Sequence, residues 1–149
     1  MANAPTHELI GKALSIPAAI AASAWLGAPL LPFCAGQFVG LFLASPDVDT
    51  HSRATNRWGI LRGIWAPLQA VTRHRGITHH PLLGAPVVLG YLALMVLALV
   101  NLVLWTGWRV WWVPEMSWDW CRWVLMGCYA QHWIHLAVDA ASSGAKRLR

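Results

Sequence analysis

Three stretches of this chain lack any Asp, Glu, Lys or Arg: between Lys12 and Asp47, between Arg75 and Arg109, and between Arg122 and Asp139. A soluble domain carries about 25% charged residues and cannot leave such stretches bare in water. They must be covered by protein or by lipid. With 149 residues, 57% hydrophobic and only 11% charged, the chain is too apolar for an ordinary cytosolic globule and excludes disorder. Its length suits one domain, 1–149. Eleven Lys and Arg outweigh six acids, for a net charge of +5. In so apolar a chain this excess is membrane-topology charge facing an anionic leaflet. A nucleic-acid module would need basic and aromatic residues interleaved on a soluble surface, and no nucleic-acid partner is expected.

The voids predict an all-α integral membrane bundle of about four membrane helices. Leu82 to Trp105 is long enough, at about 1.5 Å per residue, to cross a hydrocarbon core of about 30 Å. The first void reads as a helical hairpin, 8–27 and 32–45, turned at Gly27, Ala28, Pro29 and Pro32. Its second arm is short for a full crossing. Gly36, Gly40 and Ala44 form a small-residue stripe that would bring the two arms close. The third void belongs to a helix over 117–139, preceded by seven of the eleven Trp between Trp105 and Trp123, an aromatic belt at one interface. A signal-peptide reading of AIAASA before Trp25 is disfavoured by Lys12, Pro17 and the apolar run that continues to Ala44. Cys34, Cys121 and Cys128 have no paired spacing and read as small core residues.

Four passes place the segment 46–80 and both ends of the chain on one face, with 106–117 on the other. Nine of the eleven basic residues then lie on the first face, which orients it to the cytoplasm of a bacterial inner membrane. The segment 46–80 is either a helix lying in the interface, bent at Pro67, or a cap packed on the bundle ends. Beyond the lipid bilayer the sequence names no partner, and homo-oligomerisation stays open.

All seven His, with Glu8, Asp47, Asp49 and Asp139, fall on or near that cytoplasmic side. Ionisable groups beside a membrane bundle mark function by default. Asp47 and Asp49 follow Pro46 in SPDVD; His74 and His79 lie in HRGITH. His132, His135 and Asp139 sit at i, i+3 and i+7, within a wedge of about 60° on one helix face. Imidazoles and carboxylates drawn from several segments supply what zinc, manganese or iron requires: neutral nitrogen donors and anionic oxygens. The alternative, that such His are hydrogen-bonded core residues, suits His51 and His80 best.

The set of TH near the start, SPDVD, HRGITH and a late HxxxD resembles the membrane-bound metal-dependent hydrolases of the YdjM type, associated with the LexA regulon. The stretch from SPDVD to HHPLLG is still more similar to a related bacterial family of metal-binding membrane proteins. The resemblance is dense over about 4–90 and returns at 132–139. It implies metal ligands at His7, Asp47 or Asp49, His79, His135 and Asp139, with His74 either a ligand or a partner of one. The HxxxD step is also similar to the zinc-dependent phospholipase C and nuclease P1 group. This chain lacks that group's second HxxxE pair, and Thr50 and His80 stand where the hydrolases tend to show His and Ser, so one or two ions are expected. Zinc is the first choice.

Together these readings predict a metal-dependent hydrolase acting on a phosphoester, such as a lipid head group, with Asp47 or Asp49 taking the proton. Arg75 and backbone N–H groups near His80 would hold the anion. The rival is a non-catalytic metal-binding membrane protein in which the ion is structural, sensed or passed on.

Overall fold

The computed structural model describes residues 4–73, 76–107 and 117–147, with side chains over 8–142 of these. The His7 side chain, His74, Arg75 and the Trp-rich 108–116 lie outside the described residues. Among the described residues every regular element is helical. Three of the helices are long and apolar enough to cross a membrane: Glu8–Leu26, Leu30–Asp49 and Gly84–Trp105.

Helix α1, Ala4–Leu26, ends where Gly27 turns to φ 66°. Gly27 N–H donates to Ser23 O at 3.2 Å and Ala28 N–H to Ala22 O at 3.2 Å, the six-to-one closure that a left-handed glycine permits. Pro29 is extended and delivers the chain to α2, Leu30–Phe38. From there a π turn, Val39–Leu43, takes in an extra residue, with Ala44 N–H reaching back to Val39 O at 2.8 Å. The carbonyls freed at this end are satisfied from outside. Arg57 Nη1 donates to Leu41 O at 3.0 Å and to Phe42 O at 3.4 Å.

The small-residue stripe does not join the hairpin arms. Gly36 and Gly40 face α6, Trp118–Arg147, instead. A Cβ on Gly36 would overlap the Val124 carbonyl, and one on Gly40 would stand 3.0 Å from Gln131 Cβ. Gly127 on α6 answers them, since a Cβ there would overlap the Phe33 carbonyl. The hairpin arms are thus matched to a helix about 90 residues further on, at a separation only glycine allows.

Helix α6 runs on to Arg147, past the expected end at 139, and is not among the three apolar spans. Its Gln131 and His132 are buried within protein, not turned to lipid.

The region 46–80 is a packed cap. It folds into a 3-10 turn Pro46–Asp49, a short α3 Arg53–Asn56, a 3-10 stretch Gly59–Trp65, α4 Ala66–Val71 and a 3-10 turn Ile77–His79. Trp65 is 0% exposed and lies among Val48, Ala54, Leu68 and Val88, its ring 5.4 Å from that of Trp58 and 5.6 Å from that of Tyr91. The alternative of one interfacial helix bent at Pro67 fails: Pro67 lies in the first turn of α4, where a residue without an N–H is tolerated. Ile60, Leu61 and Val71 remain on the outer edge, Ile60 at 98% exposure.

Helix α5, Gly84–Trp105, buries only its first residues, among them Ala85 and Val88. Leu94, Leu97, Leu99, Leu102 and Trp105 stand exposed beyond the bundle, an apolar surface that requires lipid or another partner.

Candidate metal centre

The end of α2, the cap and α6 bring four of the expected side chains together. Pro46 sets the 3-10 turn that carries Asp47 and Asp49. His79 closes the turn before α5, and His135 with Asp139 face inward from α6 at i and i+4. Asp47 Oδ1 lies 3.4 Å from His79 Nε2 and 3.5 Å from His135 Nε2. Asp139 Oδ2 lies 3.8 Å and 3.9 Å from the same two nitrogens. The two imidazoles meet edge to face, with ring centroids 5.6 Å apart.

The Asp47 separations suit a cluster of donors around one ion. A direct N–H···O bond closes to about 2.7–3.2 Å. Donors held about 2.0–2.1 Å from a tetrahedral ion stand about 3.4 Å from one another. The Asp47 distances match the second figure. Asp47, His79 and His135 form the one group of metal-ligating atoms found among the described residues. Two carboxylates, Asp47 and Asp139, balance the charge of a dication, and the neutral imidazoles add nitrogen donors. The residues fit a divalent metal.

Asp49 stands at the other nitrogen of His79. Its side chain is 0% exposed and lies on the far side of His79, with Oδ2 3.8 Å from Nδ1. Thr78 Oγ donates to that oxygen at 2.6 Å and stands 3.2 Å from His79 Nδ1. The two Asp therefore flank one imidazole, Asp47 at Nε2 and Asp49 at Nδ1. A carboxylate on the distal nitrogen fixes the tautomer that leaves Nε2 free to ligate. Both carboxylates ride on the 3-10 turn Pro46–Asp49 and reach different nitrogens of His79.

The loop that presents Asp47 is tied by polar groups the sequence did not single out. Ser52 Oγ donates to Asp47 O at 2.8 Å while accepting from Ala54 N–H and Thr55 N–H as the N-cap of α3. Gln69 Nε2 donates to Val48 O at 2.9 Å and Thr50 O at 3.1 Å. Ser52 had a readable signal, a serine directly before the short helix RATN; Gln69, twenty-one residues from Val48, had none.

His80 and His132 serve the fold. His80 Nδ1 accepts from Leu82 N–H and Leu83 N–H, both at 3.2 Å, so the backbone donors expected to hold an anion are already used. His132 Nε2 lies 3.2 Å from His80 O, and Gly84 leaves room for its ring. His51 is exposed and outside the cluster. The cysteines are free thiols, and Cys128 Sγ donates to Gly36 O at 3.1 Å.

A narrow cleft of about 30 Å³ opens on the cluster, with Asp47 and His135 on one wall and Glu8, Ser45, Ser52, Arg53, Arg57 and Gln131 around it. The donor set is thus reachable from solvent on one side.

No solved structure matches the chain. It is 48% identical over 63 residues to an uncharacterized protein of Aquifex aeolicus, a match that covers 42% of this chain and 45% of that protein. The chain therefore spans under half the length of this curated relative. Over residues 2–149 it matches the family described as "Uncharacterized metal-binding protein (DUF2227)". The donor cluster and a match over nearly the whole chain agree, and the protein belongs to this metal-binding family.

Proposed function

We propose that the protein is a membrane-embedded, metal-dependent hydrolase of phosphoesters, with its site at the cytoplasmic interface of a bacterial inner membrane. The observation that supports it is the opening of the cleft onto Asp47 and His135. Catalytic metal sites keep one position for water or substrate, whereas structural sites are closed. Asp47, His79, His135 and Asp139 hold the ion, zinc in the first instance. His7 and His74 are the remaining candidates for a second ion.

When bound, the ion supplies Lewis-acid stabilisation of phosphoryl charge and makes water more acidic. The chain's own residues do the rest. Asp47 lines the cleft and is the carboxylate that takes the proton; Asp49, enclosed behind His79, instead holds that ring with Thr78. Ser52 and Gln69 fix the loop that aims Asp47.

A non-catalytic reading has one observation in its favour: the donors join three segments far apart in sequence, at 47, 79 and 135–139, which an ion would clamp. A panel of phosphomonoesters and phosphodiesters, assayed with the zinc-loaded protein in detergent, decides between them. The hydrolase reading expects turnover that chelation abolishes and that Asp47→Asn abolishes as well, by loss of the ion. Absence of turnover across the panel, together with a large loss of thermal stability on chelation, would establish the clamp.

A further inference from the structure

Building on the hydrolase reading, we infer that the cleft beside the donor cluster is a subsite for a terminal phosphate group, and that Arg53 is the residue that holds it.

Four charged side chains other than the donors' imidazoles line this cleft: Glu8, Asp47, Arg53 and Arg57. Glu8 is neutralised within the wall, by Lys12 Nζ at 2.7 Å and Arg57 Nη2 at 3.3 Å. Arg57 is further committed to the Leu41 and Phe42 carbonyls at the π turn. Asp47 faces the two imidazoles. Arg53 differs from all of these. It is exposed and acts on Glu8 through its charge alone: among the described residues its guanidinium makes no hydrogen bond or close ion pair. A guanidinium presents its donors as a fork that matches phosphate oxygens. Arg75 lies outside the described residues, and at this cleft the guanidinium is that of Arg53, on α3 directly after the Ser52 cap.

Size narrows the ligand. About 30 Å³ admits about two waters at ~10–15 Å³ each, enough for phosphoryl oxygens but not for a sugar or a base. A monoester directs its unesterified oxygens into such a cleft and keeps its single substituent outside. Leu41 forms part of this cleft and also part of a larger groove of about 240 Å³, lined by Lys12, Ile16, Phe38 and Phe42. The apolar groove could take the chain of a lipid phosphate, whereas a soluble phosphate would leave it unused.

The test measures binding, not turnover. Inorganic phosphate is titrated into the zinc-loaded protein in detergent by calorimetry, with zinc content determined on each sample. The expected result is one phosphate per zinc-loaded chain, weakened at least tenfold by Arg53→Ala and less by Arg53→Lys, with zinc content unchanged in both. Arg62→Ala, outside the cleft, should bind as the wild type does. Equal phosphate affinity in Arg53→Ala, or no phosphate binding by a fully zinc-loaded wild type, would overturn the subsite while leaving the metal centre intact. A wild type without zinc would overturn the metal reading and the subsite together. A second arm repeats the titration in phosphatidylcholine nanodiscs with and without phosphatidic acid. Displacement of phosphate by phosphatidic acid, lost when Ile16→Trp fills the groove, assigns the subsite to a lipid; phosphate binding unaffected by phosphatidic acid assigns it to a soluble ester.

Discussion

At the scale of single residues, the centre depends on partners that hold the donors as much as on the donors themselves. Thr78 is fully buried and binds the Asp49 carboxylate that stands at the distal nitrogen of His79. Thr78→Val should therefore lower zinc affinity about 10–100-fold, the usual cost of removing a group that orients a ligand. Thr78→Ser should restore most of it, and competition with a chromogenic chelator measures both. Zinc affinity unchanged in Thr78→Val would mean that Asp49 does not orient the ring. His79, His135 and Asp139 were legible in the sequence because they are ionisable groups set in or beside apolar helices, and a helix period places two of them on one face. Thr78, Ser52 and Gln69 were not, because a hydroxyl or an amide gains its role only from the carbonyl or carboxylate that folding brings to it. Arg53 was visible only as one of several basic residues, and its freedom from close partners is a property of the folded surface.

Among the elements, the charge voids located the apolar spans but not who packs against whom. The Gly36 and Gly40 stripe marks a face of close approach without naming the helix opposite; the structure supplies α6, with Gly127 as the reciprocal notch. Gly36→Val and Gly127→Val should each force these backbones apart and cost at least about 1–3 kcal/mol, the range for overpacking. Gly90 on α5 serves as the contrast, since a Cβ there meets nothing within 4 Å. Gly90→Ala should fold and melt as the wild type does. Thermal melts in detergent test both, and equal melting of all three variants would contradict the close contact of α2 with α6. The π turn at Val39–Leu43 could not be read from VGLFL, a run that suits an ordinary helix equally well. Its expanded turn is held by Arg57 from another part of the chain. The cap was half legible: the spacing of Trp58, Trp65 and Leu68 announced a buried face, and only tertiary packing decided that it meets Val88 of α5 and not the membrane surface.

For the whole molecule, three helices long and apolar enough to cross a membrane stand beside a packed cap that carries part of the donor set. The donors gather at one end of the bundle, while the far end of α5 is exposed and apolar but for Asn101. If the donor end faces the cytoplasm, as the basic residues imply, Ser142→Cys and Thr106→Cys should label from opposite sides of an intact inner membrane. The labelling needs a background in which Cys34, Cys121 and Cys128 are replaced, and labelling of both positions from the periplasm would reverse the orientation. The central claim is that Asp47, His79, His135 and Asp139 form a metal centre. It is tested most directly by elemental analysis of protein purified in detergent without added metal, comparing the wild type with His135→Ala, Asp47→Asn and the exposed-histidine control His51→Ala. The account predicts a stoichiometric divalent metal in the wild type and in His51→Ala, and its loss in the other two. A metal-free wild type, or equal metal in all four proteins, would contradict it.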